Sequence, residues 1–204
     1  MKKTLLICFL VIGFCLNAQN YTEKDFKQTV SQVNNAKTEN DFDNAFQKLS
    51  RYTSTKPTEK WEAYYYAAVA MYMKAELQLK KTPSQDVSEI NALARKYGKA
   101  AYSDNKQNNA EADILLGLIA LQRSQISGTD AKKDLEAASQ FIAKAEPNAQ
   151  NNPRLAILKA KFQERSGNKG NAEKQFQNAL KAFENKNAST GSATWGRILI
   201  PSMN

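Results

Sequence analysis

The chain has 204 residues, 42% hydrophobic and 24% charged, with a formal net charge of +9 and no histidine. That composition is globular, and the length suits one domain with a sizeable core. The missing histidine excludes a Ser-His-Asp triad, a Cys-His dyad, a His-ligated zinc and a histidine pH switch.

Met1-Lys2-Lys3 is a positive start, and Leu5–Leu16 is an apolar run broken only by Gly13. As a helix this run spans about 18 Å, short of the roughly 30 Å of a bilayer. It ends at Leu16-Asn17-Ala18-Gln19, with a small residue where a signal peptidase cuts. Residues 1–18 therefore read as a secretory signal peptide cleaved after Ala18. An uncleaved anchor is the alternative. A lipoprotein signal fits poorly, because the bulky Phe14 precedes Cys15 and Cys8 sits too early. Both cysteines fall inside the signal, so the exported chain holds itself by burial without a disulfide. Cleavage removes Lys2 and Lys3 and leaves a formal charge of +7. The expected location is periplasmic or extracellular, with no transmembrane segment after cleavage.

From Tyr21 onward, apolar residues recur every three or four positions, the helical period. Phe26, Val30 and Val33 mark a first helix with Thr22 as cap, and Phe42, Ala45, Phe46 and Leu49 a second, capped near Asn40. Trp61, Tyr65, Ala68 and Tyr72 mark a third, entered through Pro57-Thr58; Trp61 to Met73 is apolar or aromatic nearly all round. Such a helix is buried on both sides or lines a groove. A fourth carries Val87, Ile90, Leu93, Tyr97 and Ala101, with Thr82-Pro83 and Gln85 spelling its start. A fifth, capped by Asn109, carries Ile114, Leu115, Leu118 and Leu121. A sixth, opened by Gly128-Thr129, carries Leu135, Ala138, Phe141 and Ala145. A seventh, with Asn152 as cap and Pro153 next, carries Leu155, Leu158 and Phe162 and stops at Gly167. The last carries Ala172, Phe176, Ala179 and Phe183, capped by Asn171. No alternating β-branched run breaks this pattern, and short Asn-, Gly-, Ser- and Pro-rich connectors make antiparallel neighbours.

A small-or-apolar, large, small triplet recurs at spacing four then three. Ala172-Phe176-Ala179 and Leu93-Tyr97-Ala100 are its clear cases; Ala45-Leu49-Tyr52 and Ala137-Phe141-Lys144 are degraded ones. These resemble the second helix of the tetratricopeptide repeat. Leu155, Leu158 and Phe162 followed by Gly167 resemble its first helix and turn, and Leu116-Gly117 its Leu-Gly pair. The triplets start at 45, 93, 137 and 172, so only the last interval matches the family period of about 34. Asn152-Pro153-Arg154, Gly167 to Gly170, Ala179–Phe183 and Trp195-Gly196 resemble the C-terminal half of small secreted repeat-like proteins of Gram-negative bacteria. These resemblances imply an all-α fold: a right-handed stack of about four antiparallel helical hairpins over residues 19–186. No catalytic residue comes with them. Residues 187–204 lack helical period, and Trp195, Ile198, Leu199 and Ile200 are expected to pack back on the last hairpin or, alternatively, to dock a partner.

Chemistry is sparse. Ser103-Lys106 and Ser166-Lys169 have the nucleophile–base spacing of penicillin-recognising enzymes, but two such pairs are what chance gives at this content of Ser and Lys. Glu111 and Asp113 are close, yet residues two apart on a helix face different ways, so they read as first-turn acids complementing the helix dipole. No phosphate loop, calcium loop or metal-ligand spacing is present, and no cofactor is expected. Lysines are spread through nearly every helix, a solvated face and not a nucleic-acid stripe.

In stacked hairpins the first helix of each pair lines the concave face. If Tyr65 and Tyr72 face the core, Tyr66 and Met73 turn toward that groove, joined by Arg123 from the fifth helix and by Arg154 and Lys161 from the seventh. Such a row suits recognition of a peptide or helix; the alternative is that Tyr66 and Met73 are buried between neighbouring pairs. The expected function is a non-enzymatic scaffold binding a protein or peptide in the cell envelope. The competing reading is a carboxylate-based enzyme or carrier acting on an envelope polymer. N-terminal sequencing of the exported protein is expected to begin at Gln19; a start at Met1 refutes cleavage.

Overall fold

The structure, a computed structural model, describes residues 23–55, 60–104, 109–185 and 194–202. The signal peptide, the Thr22 cap, the Pro57-Thr58 entry and Lys106 lie outside the described residues. Eight α-helices and no strand occur among those described: α1 (Glu23–Asn35), α2 (Glu39–Thr55), α3 (Lys60–Lys81), α4 (Ser88–Asp104), α5 (Ala110–Arg123), α6 (Ala131–Ala145), α7 (Pro153–Arg165) and α8 (Lys169–Glu184). The all-α expectation therefore holds. No helix among the described residues is long and apolar enough to cross a membrane.

The helix starts follow local hydrogen bonding. Asn109 caps α5 by accepting from the Ala112 amide at 3.2 Å, and Asn152 caps α7 by accepting from the Arg154 amide at 2.9 Å, with Pro153 first in the helix. Both positions agree with the sequence reading. Three starts differ. Thr38, not Asn40, opens α2: its hydroxyl accepts from the Asp41 amide at 3.1 Å while Asp41 accepts from the Thr38 amide at 2.9 Å, a reciprocal capping box. At α4, Thr82–Gln85 closes instead as a turn through a 2.9 Å bond from the Gln85 amide to the Thr82 carbonyl, with Pro83 at its favoured second position. The helix then waits for Asp86, which accepts from the Ser88 amide at 2.9 Å. At α8 the left-handed Gly167 (φ 81°) completes the reversal, so Asn168 caps the helix three residues before Asn171.

Each helix packs on the next in sequence, and α1 also meets α3, α3 meets α5, and α5 meets α7. The odd-numbered helices thus form a continuous row. Their sequences match that load. In α3 every residue from Tyr65 to Met73 is buried, and in α5 every residue from Ala112 to Ile119 is buried. The even-numbered helices α2, α4, α6 and α8 cover one side with a single apolar stripe. Aromatic edges join α1 to α2, Phe26 on Tyr52 at 5.2 Å, and the even helices α2 and α4 to each other, Phe46 on Tyr97 at 5.1 Å.

One glycine sets how closely α5, α6 and α7 approach. A Cβ on Gly117 would lie 2.7 Å from Leu158 Cδ2 and 3.2 Å from Phe141 Cβ. Leu158 is fully buried. Gly117→Val is expected to destabilise the protein by about 1–3 kcal/mol through overpacking, read as a lower midpoint in urea. An unchanged midpoint shows that the three helices tolerate separation.

Candidate functional site

The first turns of α5 and α7 begin alike. Asn109-Ala110-Glu111 and Asn152-Pro153-Arg154 each place a charged residue two positions after the capping asparagine. Because α5 and α7 are neighbours in the odd row, the two charges meet. Arg154 donates from Nε to Glu111 Oε2 at 2.9 Å and from Nη2 to Glu111 Oε1 at 2.5 Å, a bidentate pair. Asn152 Nδ2 donates to Oε1 at 2.5 Å, and the Tyr65 hydroxyl of α3 donates to Oε2 at 2.7 Å. The carboxylate therefore receives four donors. The Arg154 side chain is 0% exposed and that of Glu111 22%.

Burial alone would raise the Glu111 carboxyl, but the Arg154 charge, its hydrogen bonds, Tyr65 and Asn152 together hold it below the ordinary 4.5. Burial likewise works against the Arg154 charge, and Glu111 more than restores it, raising the guanidinium further. Tyr65 is pushed well above an ordinary phenol, first by burial and then by the Glu111 charge. All three groups thus stay in one protonation state near neutral pH: carboxylate, guanidinium and neutral phenol.

The C-terminal segment lies against this network. Trp195 is 2% exposed. Its indole Nε1 donates to the Tyr65 hydroxyl at 2.9 Å, and the Arg154 guanidinium carbon sits 5.7 Å from its ring centroid. Tyr65 and Tyr72 each hold the indole ring at 6.3 Å between centroids. Gly196 follows at φ 104°, and a Cβ there would lie 3.3 Å from Arg154 Cγ. Leu199 and Ile200 rest half-buried on the core, while Ile198 is 59% exposed. The tail thus reaches past the last hairpin to α3.

A second polar cluster lies farther along the same helices. Lys161 of α7 pairs with Glu76 Oε2 of α3 at 2.7 Å, and Gln122 of α5 donates to Glu76 Oε1 at 2.9 Å. Asn91 of α4 donates to Gln122 Oε1 at 2.9 Å.

The residues expected along the groove separate in space. Arg154 and Lys161 are each bound to an acid from another helix. Tyr66 and Met73 are both 4% exposed and lie in the core. Arg123 turns toward α6, where its Nε donates to Asp134 Oδ1 at 2.7 Å. The side chains that meet the tail are instead Tyr65, Tyr72 and Arg154. The helical period puts Tyr65 and Tyr72 in the core, and both are buried there; it offers Glu111 only as a first-turn acid. The matching offset of Glu111 and Arg154 from their capping asparagines was the available signal.

Glu111 and Asp113 diverge, as spacing two predicts. Asp113 is buried on the other side of α5, its carboxyl raised by burial and partly offset by Lys144, and its Oδ1 finds no hydrogen-bond partner. Among the described residues no group of three or more His, Cys, Asp or Glu could hold a metal ion. Two clefts of about 510 and 530 Å³ lie between α1 and α2 and between α7 and α8, lined mainly by carboxamides and cations at the surface.

Arg154→Met leaves Glu111 buried without its counter-charge and is expected to cost about 3 kcal/mol near pH 7. In the wild type the lowered Glu111 value stabilises above 4.5, and that contribution is lost as pH falls through the folded value. In the variant burial dominates and the carboxyl rises above 4.5, so its deficit shrinks on acidification toward that value. Urea midpoints at several pH values check this; a deficit independent of pH refutes the pairing. No family model matches the chain, and no curated protein or solved structure matches it significantly.

Proposed function

We propose that the protein is an exported, non-enzymatic scaffold that binds a protein or peptide in the cell envelope. Its four helix pairs, α1/α2, α3/α4, α5/α6 and α7/α8, would stack as a right-handed, tetratricopeptide-like superhelix with the odd helices lining the recognition face. The observation that carries this reading is that this face holds an irregular chain segment. Trp195 and Gly196 seat there through an indole and a close-packed glycine, and Leu199 and Ile200 pack on the core beyond them. A row of helices that grips one such segment has the chemistry of peptide recognition. Signal-like residues 1–18 support the envelope location.

The network also supports binding over turnover. Glu111 accepts four hydrogen bonds and keeps no free lone pair for a proton. Asp113 faces away from it, so the paired carboxylates of the polymer-cleaving alternative do not meet in a cleft. Affinity capture of the tagged mature protein from envelope extract, followed by reconstitution with the purified partner, is expected to give a stoichiometric complex and no turnover of envelope polymers. Measured hydrolysis of such a polymer by the purified protein refutes the reading.

A further inference from the structure

We infer that the pocket of Tyr65, Tyr72 and Arg154 is a site for a partner peptide presenting tryptophan followed by glycine, with residues 194–202 as its displaceable internal occupant. This rests on the peptide-binding reading and names the ligand chemistry of that face.

The pocket is complete without the tail. Glu111 draws its four donors from Arg154, Asn152 and Tyr65, all outside residues 194–202. The Tyr65 hydroxyl already spends its one O–H donor on Glu111, so it offers only an acceptor, matched to the indole N–H. Glu111 holds the guanidinium in a fixed plane, so Arg154 presents a charged surface suited to an aromatic ring. Removing Trp195 therefore breaks only its own bond to the Tyr65 hydroxyl and leaves all four donors of Glu111 in place. The walls are preorganised, the condition under which a ligand binds without an ordering cost to its site. Tyr72 adds a buried hydroxyl with no hydrogen-bond partner of ordinary geometry.

The pocket also selects the next residue. At φ 104° with Arg154 Cγ at 3.3 Å from any Cβ, only glycine fits comfortably after the tryptophan. The tail that meets these demands is joined to α8 through residues 186–193, which contain no large apolar side chain. Within it Ile198 is largely exposed and Leu199 and Ile200 are only half-buried. Segment 194–202 is thus held by one anchor and a few flanking contacts, as a bound peptide is.

The test inserts a site-specific protease sequence between Thr190 and Gly191 of the full chain and cuts it after folding. A fluorescein-labelled peptide of residues 194–202 is then added and its anisotropy measured. The labelled peptide is expected to exchange into the cut protein, with the helical circular dichroism retained. It should bind the uncut protein at least about tenfold more weakly, because a tethered tail competes at roughly millimolar effective concentration. Peptides carrying Trp195→Ala or Gly196→Ala should not exchange. The full-length Trp195→Ala protein should stay helical and take up the wild-type peptide. Failure of exchange, or loss of helicity when the tail leaves or in the Trp195→Ala protein, overturns the inference and makes Trp195 a core residue. Concentration-dependent dimerisation of the uncut protein through swapped tails also overturns it, assigning the pocket to a second copy. None of these failures touches the envelope capture experiment, which another surface could still satisfy.

Discussion

The ion pair between Glu111 and Arg154 is the constraint on which the molecule's organisation turns. A guanidinium with no exposure is tolerated only where its charge and its N–H groups are answered. Here one carboxylate answers it in a bidentate fork, and that carboxylate is in turn held by donors from α3 and from the α7 cap. Three helices that are not sequential neighbours, α3, α5 and α7, are therefore fixed in register by a single group. Hydrophobic packing alone would allow those helices to slide or rotate with little change in buried area. A bidentate contact at 2.5 and 2.9 Å does not. Glu76 performs the same bridging between Lys161 and Gln122 farther along, so the odd row is pinned at two levels.

How much of this the sequence revealed depends on how each helix is patterned. The even helices are amphipathic, and their core residues, such as Phe42, Leu49, Ala172 and Phe176, were readable from period alone; all four are buried. Helix ends were readable where glycine or an asparagine followed by a helical run stood alone. They were missed by two to four residues where several capping residues compete, as at Thr82 to Asp86. The faces of α3 were not readable. With nearly every position from Trp61 to Met73 apolar, the pattern has no polar side to set the orientation, and a rotation of one residue, about 100°, exchanges Tyr65 for Tyr66. The same single step on α5 separates Arg123, which turns to α6, from Gln122, which turns to α3.

The cost of a buried polar network explains why the site lies where the helices are most apolar. Charges and amides in such surroundings are expensive when unmatched, and the groups that bridge the odd helices are matched: Glu111 by four donors, Glu76 by Lys161 and Gln122, Gln122 by Asn91. This saturation has a chemical consequence. A carboxylate held below its ordinary pKa with every lone pair engaged is a poor base, and an arginine pinned across its fork has no freedom to follow a changing substrate. Such groups hold shape and present a fixed electrostatic surface.

The spacing of the two pinned levels then bounds what the face accommodates. Arg154 and Lys161 are seven residues apart on α7, so the two polar levels stand about 10 Å apart along the helix. An extended chain covers that distance in about three residues. Trp195 occupies the first level, and no residue of the described tail bonds the second, where Glu76 and Lys161 pair with each other. The chain's own segment thus uses the aromatic end of the row and leaves the charged end to its internal ion pair. That pair is 15% exposed on the acid and 22% on the lysine, enough to reach water. On the proposed peptide-binding reading, a peptide longer by a few residues on the appropriate side would bring a cation or an acid to this second level, where charge complementarity adds orientation to the affinity supplied by the indole.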